Sequence, residues 1–270
     1  MNQVLALPEL LEPIFLSLDL GTLLTSAQRV CTQWRSIVQG SSALQEKLFF
    51  KPRATTNRHY SPEPIFNPLL TTAFPAIFHA NKAISPRSDQ EFNIADLELI
   101  THPAKRTAYL RPEASWRTML IQQPPTSSFG IVQHSGGQLG YGGSYEIMKT
   151  EGGLRMEALF EVLFFHQDID AYNCPDGIIW WSEDAEPKLG RLLEPFAEEE
   201  EKKKVEQPGV LVHVSFFATC TSTESELEDE DYRDVLKAVQ TGYRGLGLEP
   251  KILAGPEWER QTWEYSKTWD

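Results

Sequence analysis

The residue types able to do chemistry gather in two short stretches. Gly136, Gly137, Gly140, Gly142 and Gly143 crowd the first. Glycines at that density can bring backbone N–H groups around a phosphate, but a phosphate loop ends in Gly-Lys-Ser/Thr, and no Lys stands there. A dinucleotide fingerprint fails too, because no third Gly opens a following helix. The stretch reads as a flexible turn, still suited to recognition because loops carry function. The second stretch holds His166, Asp168, Asp170 and Cys174, the densest set of metal-ligand types. Zinc sites space Cys and His at short regular intervals, and this set does not. It reads as a solvated loop after a helix. No G-x-S-x-G elbow and no H-E-x-x-H occurs. Glu198 and Glu199 belong to a charge run, where a solvated surface is the plainer reading. The expectation is a protein that is not an enzyme, with no catalytic residue, no metal and no cofactor. A hydrolase site beside residues 136–143 or His166 is the competing enzymatic reading.

Composition narrows the classes further. The net charge of −13 argues against nonspecific nucleic-acid binding, which needs clustered Lys and Arg to neutralise phosphates. Cys31, Cys174 and Cys220 are three in number and far apart, unlike a disulfide framework. No basic-then-apolar signal opens the chain, and no run of about 18 apolar residues could span a bilayer. The expectation is a protein of the cytosol or nucleus, without a membrane partner. The 270 residues fit one small module and one ordinary domain.

Helical periodicity dominates residues 7–50. Leu7, Leu10, Leu11, Ile14, Phe15 and Leu18 follow the spacing of one helical face. Pro8 suits a first turn, whereas Pro13 deletes a bond to the Glu9 carbonyl and predicts a kink, or a first turn separate from a helix over about 12–18. Asp19 is placed to cap a second helix through Leu23 and Leu24. A third carries Val30, Trp34, Ile37 and Val38 and stops at Gly40. Ser42 with Gln45 reads as a capping box for a last helix ending near Phe49.

Residues 51–90 are rich in Pro, Thr, Asn and Ser and read as a surface connector, pinned to the C-terminal domain by Ile65-Phe66, Leu69-Leu70 and the run from Phe74 to Phe78. Residues 91–270 read as α+β. A short helix is expected over 112–121, a strand over 129–134, an amphipathic helix over 154–166 and strands over 177–181 and 209–218. A helix over 231–243 turns Tyr232, Val235, Leu236 and Val239 inward. Charge marks 198–204 and 221–231 as solvated. The tail from Pro256, with Trp258, Trp263 and Trp269 between charges, reads as a helix packed on the domain.

In order and spacing, Leu7-Pro8, Leu10-Leu11, Ile14, Leu18, then Val30-Cys31 and Trp34, resemble an F-box over about residues 4–50. The fold expected is therefore a small N-terminal three-helix module over 1–50, a connector over 51–90 and a larger mixed α+β domain over 91–270. A second segment, from Ala114-Ser115-Trp116-Arg117 through Met119-Leu120 to Gln123-Pro124-Pro125, resembles the A-S-W-R-x-M-L-x-x-Q-P-P stretch of a large class of fungal F-box proteins. Leu48 to Pro52 and Asn67 to Leu70 fit that class too. Trp116, Met119 and Leu120 are expected to serve packing.

The resemblance implies a substrate receptor of a cullin–RING ubiquitin ligase. It would bind a small Skp-family adaptor through Leu7, Pro8, Leu10, Leu11, Ile14, Leu18, Val30 and Trp34, reach a cullin through that adaptor, and recruit an unknown substrate protein. Physical reasoning runs parallel. Trp34, Val30, Leu24 and Leu11 can make the module's own core, but Leu7, Pro8, Leu10, Ile14 and Leu18 cannot all share it, and an apolar face left in water marks an interaction site. Two other readings stay open. The helices could be the first part of the larger core, or the chain could bind an adaptor without serving a ligase.

Overall fold

The computed structural model describes residues 7–53, 64–78, 94–137, 140–182, 185–196, 206–217, 230–251 and 258–266. The charge run over 198–204 and most of the acidic segment 221–231 lie outside them. The architecture is α+β, with a helical N-terminal region followed by a sheet with helices packed on it.

Helix α1 (Pro8–Ser17) runs through Pro13 as one element, so no separate first turn forms. Glu9 and Pro13 both lie in exposed positions, so the carbonyl released at Glu9 can meet water. Burial of Leu11 and Phe15 on either side of Pro13 anchors both halves. Asp19 caps the next helical stretch as expected, its Oδ1 accepting the Thr22 N–H at 2.8 Å. That hydrogen bond holds its carboxyl below the usual carboxylate range. A π-helical run, Thr22–Ala27, leads into α2 (Gln28–Val30). Cys31 is extended, with φ −161° and ψ 168°, and separates α2 from α3 (Thr32–Gly40). Val30 therefore ends one helical stretch rather than opening the next. Ser41, one residue before the expected cap, accepts the Leu44 N–H at 3.2 Å and starts α4 (Ser42–Lys47). Leu11, Phe15, Leu23, Ala27, Val38, Leu44 and Leu48 form the core of this module.

Residues 64–78 are more than a surface connector. Strand β1 (Ile65–Phe66) pairs antiparallel with β2 (Gln122–Gln123). Asn67 caps α5 (Pro68–Ala73) by accepting the Leu69 N–H at 3.0 Å, and α6 (Pro75–Phe78) follows. Leu70, Phe74, Ile77 and Phe78 are buried in the large core. Two more helices, α7 (Glu98–Thr101) and α8 (Pro103–Leu110), lead to a 3-10 turn, Ser115–Thr118, where a longer helix was expected. Side chains tie this turn back to α8. Trp116 Nε1 donates to the Tyr109 carbonyl at 2.8 Å, and Arg117 donates to the carbonyls of Leu110 and Arg111.

The main sheet contains β3 (Ser128–Gly137), β4 (Gly140–Lys149), β5 (Pro175–Trp180), β6 (Val210–Phe217) and β7 (Glu259–Ser266). Their order is β5-β6-β3-β4-β7, with only the β3–β6 pair parallel. The expected glycine turn is largely strand. Gly136 pairs with Tyr141 and Gly137 with Gly140. The described part of the tail is strand β7, not a helix, because the free edge of β4 offers its backbone a complete ladder from Ile147 to Gly140, while Trp269 lies outside the described residues.

Side-chain alternation splits the sheet between two cores. Phe129, Ile131, Met148, Ile178, Trp180, Val210 and Val212 face the larger one with α9 (Met156–Phe165) and α11 (Glu230–Gly245). Val132, Tyr145, Ile147, Ile179 and Leu211 face a smaller one under α10 (Glu186–Leu193). Helix α11 buries the four expected residues and Tyr243 besides. Helix α9 is buried nearly all round rather than amphipathic.

One charged side chain sits deep in the large core. Arg117 stacks on the rings of Trp116 and Tyr243 and donates to Glu157 Oε1 at 3.1 Å and to the Tyr243 hydroxyl at 2.9 Å. Buried Glu161 lies 4.0 Å from the same nitrogen. Removing one member of such a group strands the opposite charge out of water. Arg117→Met is expected to lower the unfolding free energy by about 3–5 kcal/mol, read from denaturant midpoints by circular dichroism.

Candidate functional site

The apolar stripe of α1 is wider than the core beneath it. Its inner edge, Leu11 and Phe15, is sealed, with Leu11 only 1% exposed. Its outer edge, Leu7, Leu10 and Ile14, stays 49%, 46% and 47% exposed, one above another at helical spacing. Pro8, at the first helical position, is exposed as well. Leu18 is half-buried against the module core, and Trp34 is half-buried with its ring edge-on to Phe15 at 5.0 Å. Leu11 and Val30 were each expected both in the module core and on the adaptor face, and the structure divides them. Leu11 lies in the core and offers no surface, which removes it from the adaptor face. Val30 leaves the core: it is 60% exposed at the end of α2, because the extended Cys31 separates it from the packed face of α3. Leu16, unexpected, adds a further exposed apolar side chain.

Polar contacts tie this helix to the module. Ser41 Oγ donates to Glu12 at 2.8 Å. Lys47 Nζ donates to the Leu16 carbonyl at 2.6 Å, satisfying one of the acceptors left open at a helix C-terminus. Ser17 Oγ donates to the Ile14 carbonyl at 2.6 Å.

The module is also clamped to the domain. The buried Gln123 side chain accepts the Arg53 N–H at 2.6 Å and donates to the carbonyls of Lys51 at 2.9 Å and Glu46 at 3.3 Å. The Leu120 N–H donates to the Phe49 carbonyl at 2.8 Å. Phe49 adopts φ 63°, a left-handed conformation costly for a bulky residue, while its side chain stays buried. Arg155 donates to the carbonyls of Phe50 and Thr118. Trp116, Met119 and Leu120 are buried, in the packing role expected of them. The Gln123 clamp was not foreseen, since a glutamine before two prolines reads only as the end of an element.

The set from His166 to Cys174 resolves into structural contacts. His166 Nε2 lies 3.3 Å from buried Glu146, and Arg260 bridges Glu146 at 3.0 Å and Asp168 at 3.3 Å. Burial pushes the Glu146 carboxyl up, but the hydrogen bond from His166 and the charges of His166 and Arg260 outweigh it and leave it lowered. Asp170 accepts the backbone N–H groups of Tyr172 and Asn173, both at 2.8 Å. Cys174 packs against the large core. Among the described residues, no group of three or more His, Cys, Asp or Glu side chains is arranged to hold a metal. Also among the described residues, no helix is long and apolar enough to cross a membrane.

A second ionisable cluster lies on the face of the sheet that carries the smaller core. His213 Nδ1 is 3.2 Å from Asp176, and the His134 ring lies 5.6 Å from that of His213. Burial pushes His213 down to about 4, with His134 and Lys188 adding to the effect. Burial also lowers His134, raises Asp176 and lowers Lys188.

The chain matches no protein-family model, no curated protein and no solved structure. Any function therefore rests on the residues themselves, and the exposed edge of α1 is a feature that the described fold leaves unexplained.

Leu10→Ser with Ile14→Ser is expected to shift stability by less than about 1 kcal/mol, since both side chains are already half in water, whereas Leu11→Ala is expected to cost about 2–5 kcal/mol; thermal and denaturant unfolding compare them. A pH dependence is expected as well. The unfolded His213 takes up a proton near its ordinary value of 6.5, and the folded one only near 4. Between those values the unfolded chain binds more protons, so stability falls as pH drops from about 7 to 5. The raised Asp176 contributes the opposite slope just above its ordinary carboxylate range. Thermal melts across the window should show His213→Gln with a shallower decline than the parent.

Proposed function

We propose that the chain is the substrate-receptor subunit of a Skp/cullin/F-box-type ubiquitin ligase, working in the cytosol or nucleus. The observation that carries this reading is the exposed edge Leu7, Pro8, Leu10 and Ile14 on a helix whose other edge is locked in a module core. A Skp-family adaptor would cover that edge and connect it to a cullin. Burying a whole Leu or Ile side chain contributes roughly 1.5–3 kcal/mol. These are half-buried already, so each adds about half of that. Association costs exceed such a sum, so the adaptor must also wrap neighbouring surface, where Leu16 and Val30 are available.

The α+β domain would hold the recruited protein. The clamp through Gln123, Leu120 and Arg155 supports the reading because it fixes the domain relative to the docking helix. In this mechanism the chain performs no bond chemistry. It holds a target lysine near an activated ubiquitin carried by the rest of the ligase and so raises the effective concentration of the two reactants.

The test is co-purification from cells of its own kind. The parent chain is expected to bring down a Skp-family adaptor, a cullin and ubiquitin conjugates. Leu7→Ala with Pro8→Ala is expected to lose the adaptor at least tenfold while its melting curve is unchanged. Retention of the adaptor by the double variant contradicts the docking face. Adaptor capture without cullin or conjugates makes the chain an adaptor-bound interaction protein instead.

A further inference from the structure

A groove of about 750 Å³ opens where the module meets the domain. Leu24 and Phe50 give it an apolar part, and both also pack against the large core. Arg29 and Gln39 line it from the module, Arg111 and Glu113 from the domain. All four side chains are exposed, and none makes a hydrogen bond or ion pair among the described residues. The groove thus sets two guanidinium groups against one carboxylate on a chain whose net charge is −13. Its size falls in the range of ligand sites, but small-molecule pockets are mostly apolar, and this one is lined chiefly by amide, hydroxyl and charged groups. It is also preformed, because the Gln123 and Leu120 hydrogen bonds fix its two walls at one separation.

The geometry points to an extended peptide of a recruited protein as the occupant, with an Asp or Glu side chain reaching Arg29 and Arg111. This rests on the receptor reading for the partner's identity. Guanidinium groups match a carboxylate with paired N–H donors, and the exposed amide of Gln39 can satisfy peptide backbone groups. Glu113 takes a backbone N–H or a basic side chain flanking the acidic one, which makes the preference one for an isolated acidic position rather than an acidic run. The apolar patch of Leu24 and Phe50 accepts a neighbouring aliphatic side chain.

Panning a random nonapeptide display library against the full-length chain, and in parallel against Arg29→Glu with Arg111→Glu, tests this. Both arginines are exposed, so the variant is expected to melt like the parent. On the parent, Asp or Glu is expected to be enriched at least threefold at one position; on the variant, that enrichment vanishes or turns to Lys or Arg. Absence of enrichment, or the same enrichment on both proteins, overturns the proposal. A phosphoserine form of the selected peptide that binds more than tenfold tighter than the acidic form overturns the choice of carboxylate. Adaptor co-purification with the same variant separates the two readings. Its loss assigns the groove to the adaptor, and its retention together with loss of peptide supports the groove as the recruitment site. Failure of Leu7→Ala with Pro8→Ala to release the adaptor would strike the docking face and leave the peptide result standing.

Discussion

Helix α1 carries an apolar stripe too broad for the module it belongs to, and the receptor role proposed for the chain depends on that mismatch. A core built from four short helical stretches closes over Leu11 and Phe15 and has no room for Leu7, Leu10 and Ile14. Among the described residues the large domain leaves them exposed as well, although it packs against Leu24 and Phe50. Exposed leucines are common singly. Three on one helical face, opened by an exposed proline and held by contacts that leave the helix little freedom, form a surface rather than a scatter.

The junction sets what that surface can do. Gln123 spends its amide on three backbone groups of residues 46–53, and Phe49 holds a left-handed backbone conformation there. Such strain persists only where surrounding contacts over-determine it, as the Leu120 hydrogen bond and the burial of its ring do here. Module and domain therefore present their surfaces at a fixed spacing. For the receptor role we propose, fixed spacing is the useful property, since misplacing a reactant by a small distance forfeits much of the gain in effective concentration.

The sequence made the periodic parts of this fold legible. Asp19 as a cap and the inward face of α11 follow from local rules and are as expected. The α1 stripe was legible as too large for its core, and the edge left out, Leu7, Pro8, Leu10 and Ile14, is among the residues expected there; what was not legible is that Val30 leaves the core and Leu18 joins it in part, because that depends on where α3 and α4 pack. Pro13 left a separate first turn open for a similar reason: the lost bond is local, while Leu11 and Phe15 secure a single helix through tertiary contacts. Strand β7 was invisible because an edge strand takes its stability from a ladder to β4, a long-range pairing that charged residues such as Glu259 and Arg260 do not advertise. Glu146 was equally hidden. Only the sheet register brings it to His166 and Arg260, turning what looked like loose ligand types into a paired set.

The central claim is that a partner polypeptide covers the outer edge of α1. Hydrogen–deuterium exchange of the full chain, alone and with a purified Skp-family adaptor, measures this directly. The account predicts strong added protection across residues 7–18, with the strands of the main sheet unchanged. Equal uptake over residues 7–18 in both samples, under conditions where the two proteins are shown to associate, would contradict it.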